Sequence, residues 1–260
     1  MGICNLSPDS FSGDGLGSDV EAAVAQAKRF VAEEADIIDI GGESTRPSTE
    51  PTSIDDIDDE LRLVIPVIER LASEISVPIS IDTYKSGVAS RALKAGATMI
   101  NDIWGLKRDP RLADLAAEAG VPIILMSNQR DAPCQNIMPE IVADLERGIT
   151  IAMKAGVPKQ NIIIDPGIGF GKSFEQNLEI IRRLAELKTL NQPILLGSSR
   201  KSMIGLALDL PTDQRLEGTA ATVAIGITNG ADIVRVHDVQ QMVRVCRMSD
   251  AIIRRRTTSD

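Results

Sequence analysis

Residues 77–105 read VPISIDTYKSGVASRALKAGATMINDIWG, and this stretch contains the unit from which the rest of the chain is built. A short apolar run, Val77–Ile81, is followed by the polar cluster DTYKS and then by a helix-like stretch, Ser86–Ala95. Gly96 and a second apolar run, Thr98–Ile100, come next. A buried parallel strand reads as such a run, and a glycine commonly supplies the left-handed residue that ends a helix. The stretch therefore predicts a β–α–β unit.

Apolar runs of this kind recur along the whole chain, and each is followed by a cluster of polar residues or glycines. The runs are Met1–Cys4, Ile37–Ile40, Val77–Ile81, Thr98–Ile100, Val121–Met126, Ile162–Ile164, Pro193–Leu196 and Ile233–Val236. Eight β-then-α units predict an α/β fold, a single (β/α)8 TIM barrel over residues 1–260. In such a barrel the segments that follow the strands converge on one rim, where the active site lies.

The helices between the runs are predicted from apolar residues at helical spacing. After a first helix near residues 22–34, they are Asp55–Ser73, with Pro66 as a local interruption, Ser86–Ala95, Pro110–Ala119, Ile141–Ala155, Phe174–Leu187, Arg215–Asn229 and Gln240–Arg255. Glycines stand where four of them should end: Gly96, Gly120, Gly156 and Gly230. The acidic cluster DDIDDE, residues 55–60, is interpreted as the first turn and solvated face of a helix.

Composition limits the class of protein. Only 2% of the residues are aromatic, so the core must be built from Ile, Val, Leu and Ala. A net charge of −9 argues against a nucleic-acid partner, and no apolar run approaches the ~18 residues of a membrane span. Cys4, Cys134 and Cys246 are scattered without paired spacing, which favours a reducing cytoplasm. Met1 opens directly on the first strand, so we expect a short N-terminal segment to be missing.

Two sets of polar residues are candidates for a site at the rim. Asp39, Asp82 and Asp165 end three apolar runs and Asn101 follows a fourth, and their oxygens can accept hydrogen bonds from a flat, nitrogen-rich heterocycle. Any one of them could merely cap a helix, but four in the same structural position favour a site. The second set can bind phosphate or pyrophosphate, and it comprises Ser44, Thr45, Arg46, Arg200, Lys201, Arg235 and His237.

The glycine-rich segment DPGIGFGK, residues 165–172, is not a nucleotide-binding P-loop. That motif has four residues between its first glycine and Gly-Lys, whereas three separate Gly167 from Gly171. We expect a tight turn that lets the backbone approach a ligand, with Phe170 as an apolar wall.

Seven motifs together resemble the dihydropteroate synthase family in order and spacing. They are NLSPDSFSGDG, IDIGGESTRP, IDTYK, INDIWG, DPGIGFGK, GSSRK and RVHDV, and they span nearly the whole chain. The resemblance implies that Asp82, Asn101, Asp165 and Lys201 hold a pterin ring, with Asp39 nearby. It further implies a pyrophosphate site, a p-aminobenzoate pocket and a metal contact. The pyrophosphate residues are Asn5, Thr45, Arg46, Arg235 and His237; the pocket residues are Phe11, Pro47, Phe170 and Ser202; and Asn5 also faces Mg²⁺.

The implied reaction joins 6-hydroxymethyl-7,8-dihydropterin diphosphate to p-aminobenzoate and releases pyrophosphate, as a step of folate biosynthesis. Asp82, Lys201, Arg235 and His237 are then the expected catalytic residues, in a cytoplasmic homodimer that uses Mg²⁺ and binds neither nucleic acid nor membranes. Stabilisation of charge on the pyrophosphate and of a developing cation on the pterin favours a dissociative substitution.

Three segments depart from the usual pattern of the family. LMSNQRDAP, residues 125–133, replaces a histidine-containing LMHM-type segment; SGDG, residues 12–15, replaces SDGG; and STRPST, residues 44–49, replaces STRPG. Two alternatives therefore remain: a non-catalytic pterin-binding homologue, and a pterin-dependent methyltransferase that transfers a methyl group to a corrinoid. STRP and GSSRK favour the synthase, because methyl transfer leaves no pyrophosphate to neutralise.

Overall fold

The computed structural model describes residues 1–7, 16–17, 19–43, 52–131 and 135–254. Within these ranges all eight predicted strands are present. They are β1 (Gly2–Asn5), β2 (Ile38–Gly41), β3 (Ile79–Asp82), β4 (Met99–Asp102), β5 (Ile123–Met126), β6 (Ile162–Asp165), β7 (Leu195–Leu196) and β8 (Ile233–Val234). Strands β1 to β6 pair in chain order and in parallel, and β7 pairs in parallel with β8.

Two isolated parallel bridges complete the circle of strands. Ile164 of β6 bridges to Ile194, next to β7, and Gly2 of β1 bridges to Val236, just beyond β8. At the second junction, Ile3 N donates to Val236 O at 3.0 Å. The strands therefore close into the predicted (β/α)8 barrel, and their carboxyl ends share one rim.

The helices that connect the strands pack on the outside of the barrel. They are α1 (Val20–Ala32), α2 (Asp58–Glu74), α3 (Ser86–Ala95), α4 (Arg111–Ala119), α5 (Ile137–Lys154), α6 (Phe174–Arg182), α7 (Ser202–Leu208), α8 (Leu216–Thr228) and α9 (Val239–Ile253). Each of α3 and α4 ends on a left-handed glycine, Gly96 or Gly120, as predicted. None of the helices in the described ranges has the length and apolar character needed to cross a membrane.

Four helix predictions were wrong in detail. The helix α2 continues through Pro66, because packing of its buried face on the barrel outweighs the backbone hydrogen bond that proline cannot make. The helix α6 ends at Arg182, before its predicted end at Leu187, and a separate 3₁₀ helix, Leu184–Leu190, follows it. The helix α5 begins at Ile137, four residues before its predicted start, and the short helix α7 was not predicted.

The inside of the barrel has an apolar floor directly beneath the rim. Met1, Met99, Ile124, Ile163 and Leu195 pack together there, with Ile37 and Ile233 against them. Side chains on a strand point to the same side at every second residue. Two residues beyond Ile37, Met99, Ile163 and Ile233 come Asp39, Asn101, Asp165 and Arg235. These predicted site residues therefore point to the same side as the apolar floor and form the next layer above it.

Candidate active site

Arg235 lies at the centre of a buried polar cluster in the mouth of the barrel. Its Nε donates to Asp39 Oδ2 at 2.6 Å, and its Nη2 donates to Asp82 Oδ2 at 2.6 Å. Asn101 Nδ2 donates to the same Asp39 carboxylate at 3.2 Å. Side chains from β2, β3, β4 and the end of β8 thus meet at one point. Three of the four predicted heterocycle-binding residues from the strand ends are in direct contact with Arg235 or with each other.

The cluster has two carboxylates for one guanidinium, and burial strengthens their interaction. Burial alone lowers the pKa of Arg235, but Asp39 and Asp82 outweigh it and raise that pKa above its ordinary value. Burial raises the pKa of Asp82, which Arg235 opposes and Asp39 reinforces. Asp39 is fully buried. The contact of Arg235 with both carboxylates was not predicted, because the sequence assigned it to a separate pyrophosphate half of the rim.

Asp165, Lys201 and Phe170 form a second group beside the first. Asp165 Oδ1 accepts from Gly167 N at 2.7 Å, so the carboxylate also fixes the glycine turn after β6. Lys201 Nζ donates to Ile168 O and lies 4.4 Å from the centroid of the Phe170 ring. Burial lowers the pKa of Lys201 to about 7, against the attraction of Asp165. Burial likewise raises the pKa of Asp165, which Lys201 opposes.

The residues after β7 and β8 place the single histidine at the rim. His237 Nδ1 lies 2.9 Å from Ser199 Oγ, and His237 N donates to the same oxygen at 3.2 Å. Arg200 belongs to the predicted phosphate set, but its Nε and Nη2 donate to Asp238 at 3.0 and 2.5 Å. Arg200 therefore holds the segment after β8.

The remaining predicted residues divide into two groups. Asn5 ends β1 and is half-buried, and Ser202 is the exposed first residue of α7. The side-chain oxygens of Asn5 and Asp82 lie 3.8 and 3.6 Å from the point where a Cβ would stand on Gly41. A Cβ at that position would occupy the space beside the two oxygens, at ordinary van der Waals distance from each. Phe11, Thr45, Arg46 and Pro47 lie outside the described residues.

The atypical cluster after β5 forms a structural network. Ser127 Oγ donates to Asp144 Oδ2 at 2.9 Å, and Lys107 Nζ donates to the same oxygen at 2.9 Å. Asn128 is buried, and its Nδ2 donates to Ile103 O at 3.0 Å. These contacts join the segments after β4 and β5 to α5. The residues of LMSNQRDAP that depart from the family pattern therefore include Ser127 and Asn128, which make structural contacts between neighbouring segments.

Lys172, the last residue of DPGIGFGK, joins this network to the segment after β6. Its Nζ donates to three carbonyl oxygens, those of Ser127 at 2.8 Å, Gly167 at 2.9 Å and Phe170 at 3.2 Å. Burial lowers the pKa of Lys172 to about 7. Gly167 and Gly171 have φ angles of +72° and +71°, so the predicted tight turn is present. Lys172 therefore ties this turn to the segment after β5.

A third buried cluster was missed from the sequence. Lys85 is only 2% exposed, and its Nζ lies 2.6 Å from Glu43 Oε2 and 3.1 Å from Glu60 Oε2. The interpretation of the acidic cluster as a solvated face is wrong for Glu60, which is buried because it faces Lys85. The signal was available in the motifs, since IDTYK and IDIGGESTRP each carry one charged residue that received no role.

Taken together, the rim can bind a planar, nitrogen-rich ring beside an anion. The carboxylates of Asp39, Asp82 and Asp165 can accept from ring N–H groups, while Asn101 can both donate and accept. The ammonium of Lys201 and the guanidinium of Arg235 supply positive charge close to these carboxylates. Among the residues that the structure describes, no group of three or more His, Cys, Asp or Glu side chains could hold a metal ion.

Comparison with known proteins identifies relatives over nearly the full length. A family model described as "Pterin binding enzyme" matches residues 1–237. Dihydropteroate synthase of Bacillus subtilis is 51% identical over 97% of this chain and 88% of its own length. The enzyme of the same name from Clostridium beijerinckii is 51% identical over 98% of this chain and 94% of its own.

Solved structures of the same enzyme have the same fold. A dihydropteroate synthase from Clostridium difficile, crystallised in the presence of pteroic acid, superposes with a TM-score of 0.91 at 50% identity. That match covers 98% of this chain and 96% of the other. The Xanthomonas albilineans enzyme with 4-aminobenzoic acid superposes with a TM-score of 0.90 at 41% identity, over 98% of this chain and 93% of the other.

Proposed function

This chain belongs to the family of pterin-binding enzymes, and on that premise we propose that it is a transferase that makes dihydropteroate for folate biosynthesis. It joins 6-hydroxymethyl-7,8-dihydropterin diphosphate to p-aminobenzoate and releases pyrophosphate. The observation that carries the proposal is the polar layer of the barrel mouth, in which Arg235 contacts Asp39 and Asp82 and Asn101 donates to Asp39. Relatives at 51% identity that are named as synthases support this reaction over methyl transfer to a corrinoid.

The pterin ring binds in the layer above the apolar floor. Asp82, Asn101 and Asp165 accept hydrogen bonds from its N–H groups, and Lys201 donates to an acceptor of the ring. Buried carboxylates strengthen these contacts, since the low dielectric of the mouth screens them little. The excess of carboxylate over guanidinium favours a ligand whose donors, and whose developing positive charge, face the cluster.

The reaction separates a diphosphate from the methylene carbon of the pterin. The C–O bond breaks, its electron pair leaves with pyrophosphate, and the aniline nitrogen of p-aminobenzoate forms the new C–N bond and loses a proton to solvent. Arg235 and His237, with Thr45 and Arg46 from the sequence, neutralise the charge that builds on the leaving group. Phe170 supplies an apolar wall for the benzoate ring, in a pocket that Phe11, Pro47 and Ser202 also line. This division of roles supports a dissociative substitution.

Magnesium is proposed as the metal, with Asn5 as its protein contact. Mg²⁺ prefers oxygen ligands and usually keeps several waters while it binds substrate phosphates, so it needs few side chains from the protein. The cradle above Gly41, which the side-chain oxygens of Asn5 and Asp82 border, fits that preference. When bound, the ion would neutralise pyrophosphate oxygens. Calorimetric titration of pyrophosphate with and without Mg²⁺, repeated on Asn5→Ala, tests the assignment.

A coupled assay of pyrophosphate release with the two expected substrates tests the function, and mass spectrometry identifies the product. We expect equal amounts of dihydropteroate and pyrophosphate. Tight binding of the pterin diphosphate without release of pyrophosphate would instead indicate a non-catalytic homologue. Transfer of a methyl group to a corrinoid, with no pyrophosphate released, would indicate the methyltransferase.

A homodimer in the cytoplasm completes the proposal. Large apolar side chains are exposed on α7, α8 and α9, where Leu206, Ile225 and Met248 are 68%, 49% and 63% exposed. The helices α7 and α9 both pack against α8, so these side chains lie on neighbouring elements. A second copy of the chain would cover them. Light scattering should give twice the mass of the chain, and Ile225→Glu should shift the protein towards monomer.

A further inference from the structure

Two positively charged side chains lie over the ring of Phe170, and the proposed reaction uses only one of them. Lys201 Nζ is 4.4 Å from the centroid of the ring, and Arg130 Cζ is 4.6 Å from it. Phe170 is only 8% exposed, and Arg130 is half-buried. A cation so placed is attracted by the negative face of an aromatic ring, and more strongly where water is excluded. Arg130 therefore restrains the Phe170 ring.

The main chain of Phe170 is held by the same segment, the residues after β5. Gln129 N donates to Phe170 O at 3.2 Å, and Arg130 N donates to Asn128 Oδ1 at 3.1 Å. A Cβ on Gly171 would lie 2.3 Å from Gln129 C and 2.5 Å from Arg130 N, so the main chains of the two segments are in contact there. Because these contacts already fix the backbone, the Arg130 side chain adds control over the direction of the ring.

Phe170 connects Arg130 to the mouth of the barrel. It lies in the turn after β6, whose first residue, Asp165, belongs to the candidate site. Burial lowers the pKa of Lys201, Asp165 opposes this, and the charges of Arg235 and Arg130 add to it. The guanidinium of Arg130 is thus close enough to act on the charges of the mouth. A change at Arg130 would be transmitted to the surface that Phe170 presents beside Lys201.

We propose that Arg130 is a positioning residue that acts through the Phe170 ring on the binding of the benzoate half of the acceptor. Phe170 is the residue that the proposed function assigns to the wall of the p-aminobenzoate pocket. Two aromatic rings interact well only in particular relative orientations, so a wall held in one orientation binds a flat ring better than a wall that turns. The inference deepens the proposed function and rests on it for the identity of the acceptor.

The test compares Arg130→Met with Arg108→Met in calorimetric titrations. Arg108 is the matched control, because its Cζ lies 4.2 Å from the centroid of the Trp104 ring, which packs in the same apolar cluster as Phe170. Pteroic acid contains both the pterin and the benzoate, whereas 6-hydroxymethylpterin contains the pterin alone. The difference between their affinities therefore measures the benzoate half. Neither ligand carries a diphosphate, so neither can react, and thermal unfolding is recorded for every variant.

Arg130→Met should weaken binding of pteroic acid about fivefold, the scale of one partly buried cation–π contact. Its affinity for 6-hydroxymethylpterin should stay within twofold, and Arg108→Met should leave both affinities within twofold. Wild-type binding of pteroic acid in Arg130→Met, or an equal loss for 6-hydroxymethylpterin or in Arg108→Met, would overturn the proposal. Equal affinities of the unchanged protein for the two ligands would also overturn it, since the benzoate half would then add no binding.

A double-mutant cycle tests whether Arg130 acts through Phe170. In the Phe170→Ala protein, Arg130→Met should weaken binding of pteroic acid less than twofold, because the ring that Arg130 holds is gone. A further fivefold loss would mean that Arg130 acts on the ligand by another route and would overturn the positioning role. The outcome is separable from the proposed function, because that function fails only if the unchanged protein releases no pyrophosphate from the two substrates.

Discussion

Two of the polar clusters beyond the strands of this barrel differ in the balance between their hydrogen-bond donors and acceptors. Around Arg235, two carboxylates share one guanidinium, so acceptors are in excess. Around Asp144, by contrast, Lys107 and Arg147 donate to one carboxylate at 2.9 and 2.8 Å. A polar cluster after a barrel strand is therefore not in itself a binding site. It becomes one where the protein leaves acceptors for a ligand.

The largest effect is expected for Arg235→Met. The change leaves Asp39 and Asp82 next to each other without their shared cation, and it removes positive charge from the proposed pyrophosphate site. We expect kcat/KM to fall on the order of 1000-fold, about 4 kcal/mol of transition-state stabilisation. Pyrophosphate release measures the rate, and circular dichroism checks the fold. The control is Arg147→Met in the other cluster, an exposed side chain whose loss should leave kcat/KM within twofold.

Two half-buried lysines provide the next contrast, because desolvation lowers the pKa of both Lys201 and Lys172 to about 7. Lys201→Met should weaken binding of the pterin substrate about 100-fold, or about 2.7 kcal/mol, since Lys201 faces the mouth. Lys172→Met should leave that affinity within about threefold but destabilise the fold by about 2 kcal/mol, since three carbonyl oxygens lose their donor. Calorimetry and urea unfolding measure the two effects. An equal loss of affinity in both variants would remove the distinction between the clusters.

Lys201 and Lys172 should also make the free energy of unfolding depend on pH. Their pKa is about 7 in the folded protein and 10.5 in the unfolded chain, so the unfolded chain binds more protons between these values. The free energy of unfolding should therefore rise as pH increases from 7 to 9. The buried Asp102 has a pKa that burial raises to about 6, so its titration affects stability mainly below pH 7. Urea unfolding at the two pH values should show a smaller rise for Lys172→Met, and an unchanged rise would contradict the assignment.

The sequence predicted the barrel because its signals repeat. Eight apolar runs, each followed by a polar cluster, predict eight strands, and the structure confirms the fold. Because side chains alternate along a strand, the same pattern predicts that Asp39, Asn101 and Asp165 lie in one layer. The helix ends at Gly96 and Gly120 follow from local backbone preference in the same way. These features depend on neighbours within a few residues of each other.

Pairings between distant residues could not be predicted. The contact of Arg235 with Asp39 joins residues 196 positions apart in the sequence, and nothing in either motif specifies it. The same holds for Lys85 and Glu43, and for Ser127 and Asp144. A polar residue after a strand has the same sequence signature whether a ligand or the protein satisfies it. The assignment of individual residues to pterin or pyrophosphate therefore stays a prediction, which substitutions must test.

The smallest effect is expected for Ser127→Ala, which tests the cluster after β5 at its least charged member. Ser127 Oγ donates to Asp144 at 2.9 Å and accepts from Gln129 Nε2 at 3.1 Å. Loss of the hydroxyl should destabilise the fold by about 1 kcal/mol, because Asp144 keeps its two cationic partners. Urea unfolding measures that loss, while kcat/KM should stay within twofold. A tenfold fall in kcat/KM with unchanged stability would mean that Ser127 faces the substrate. The cluster after β5 would then belong to the active site, and the contrast with Arg235 would fail.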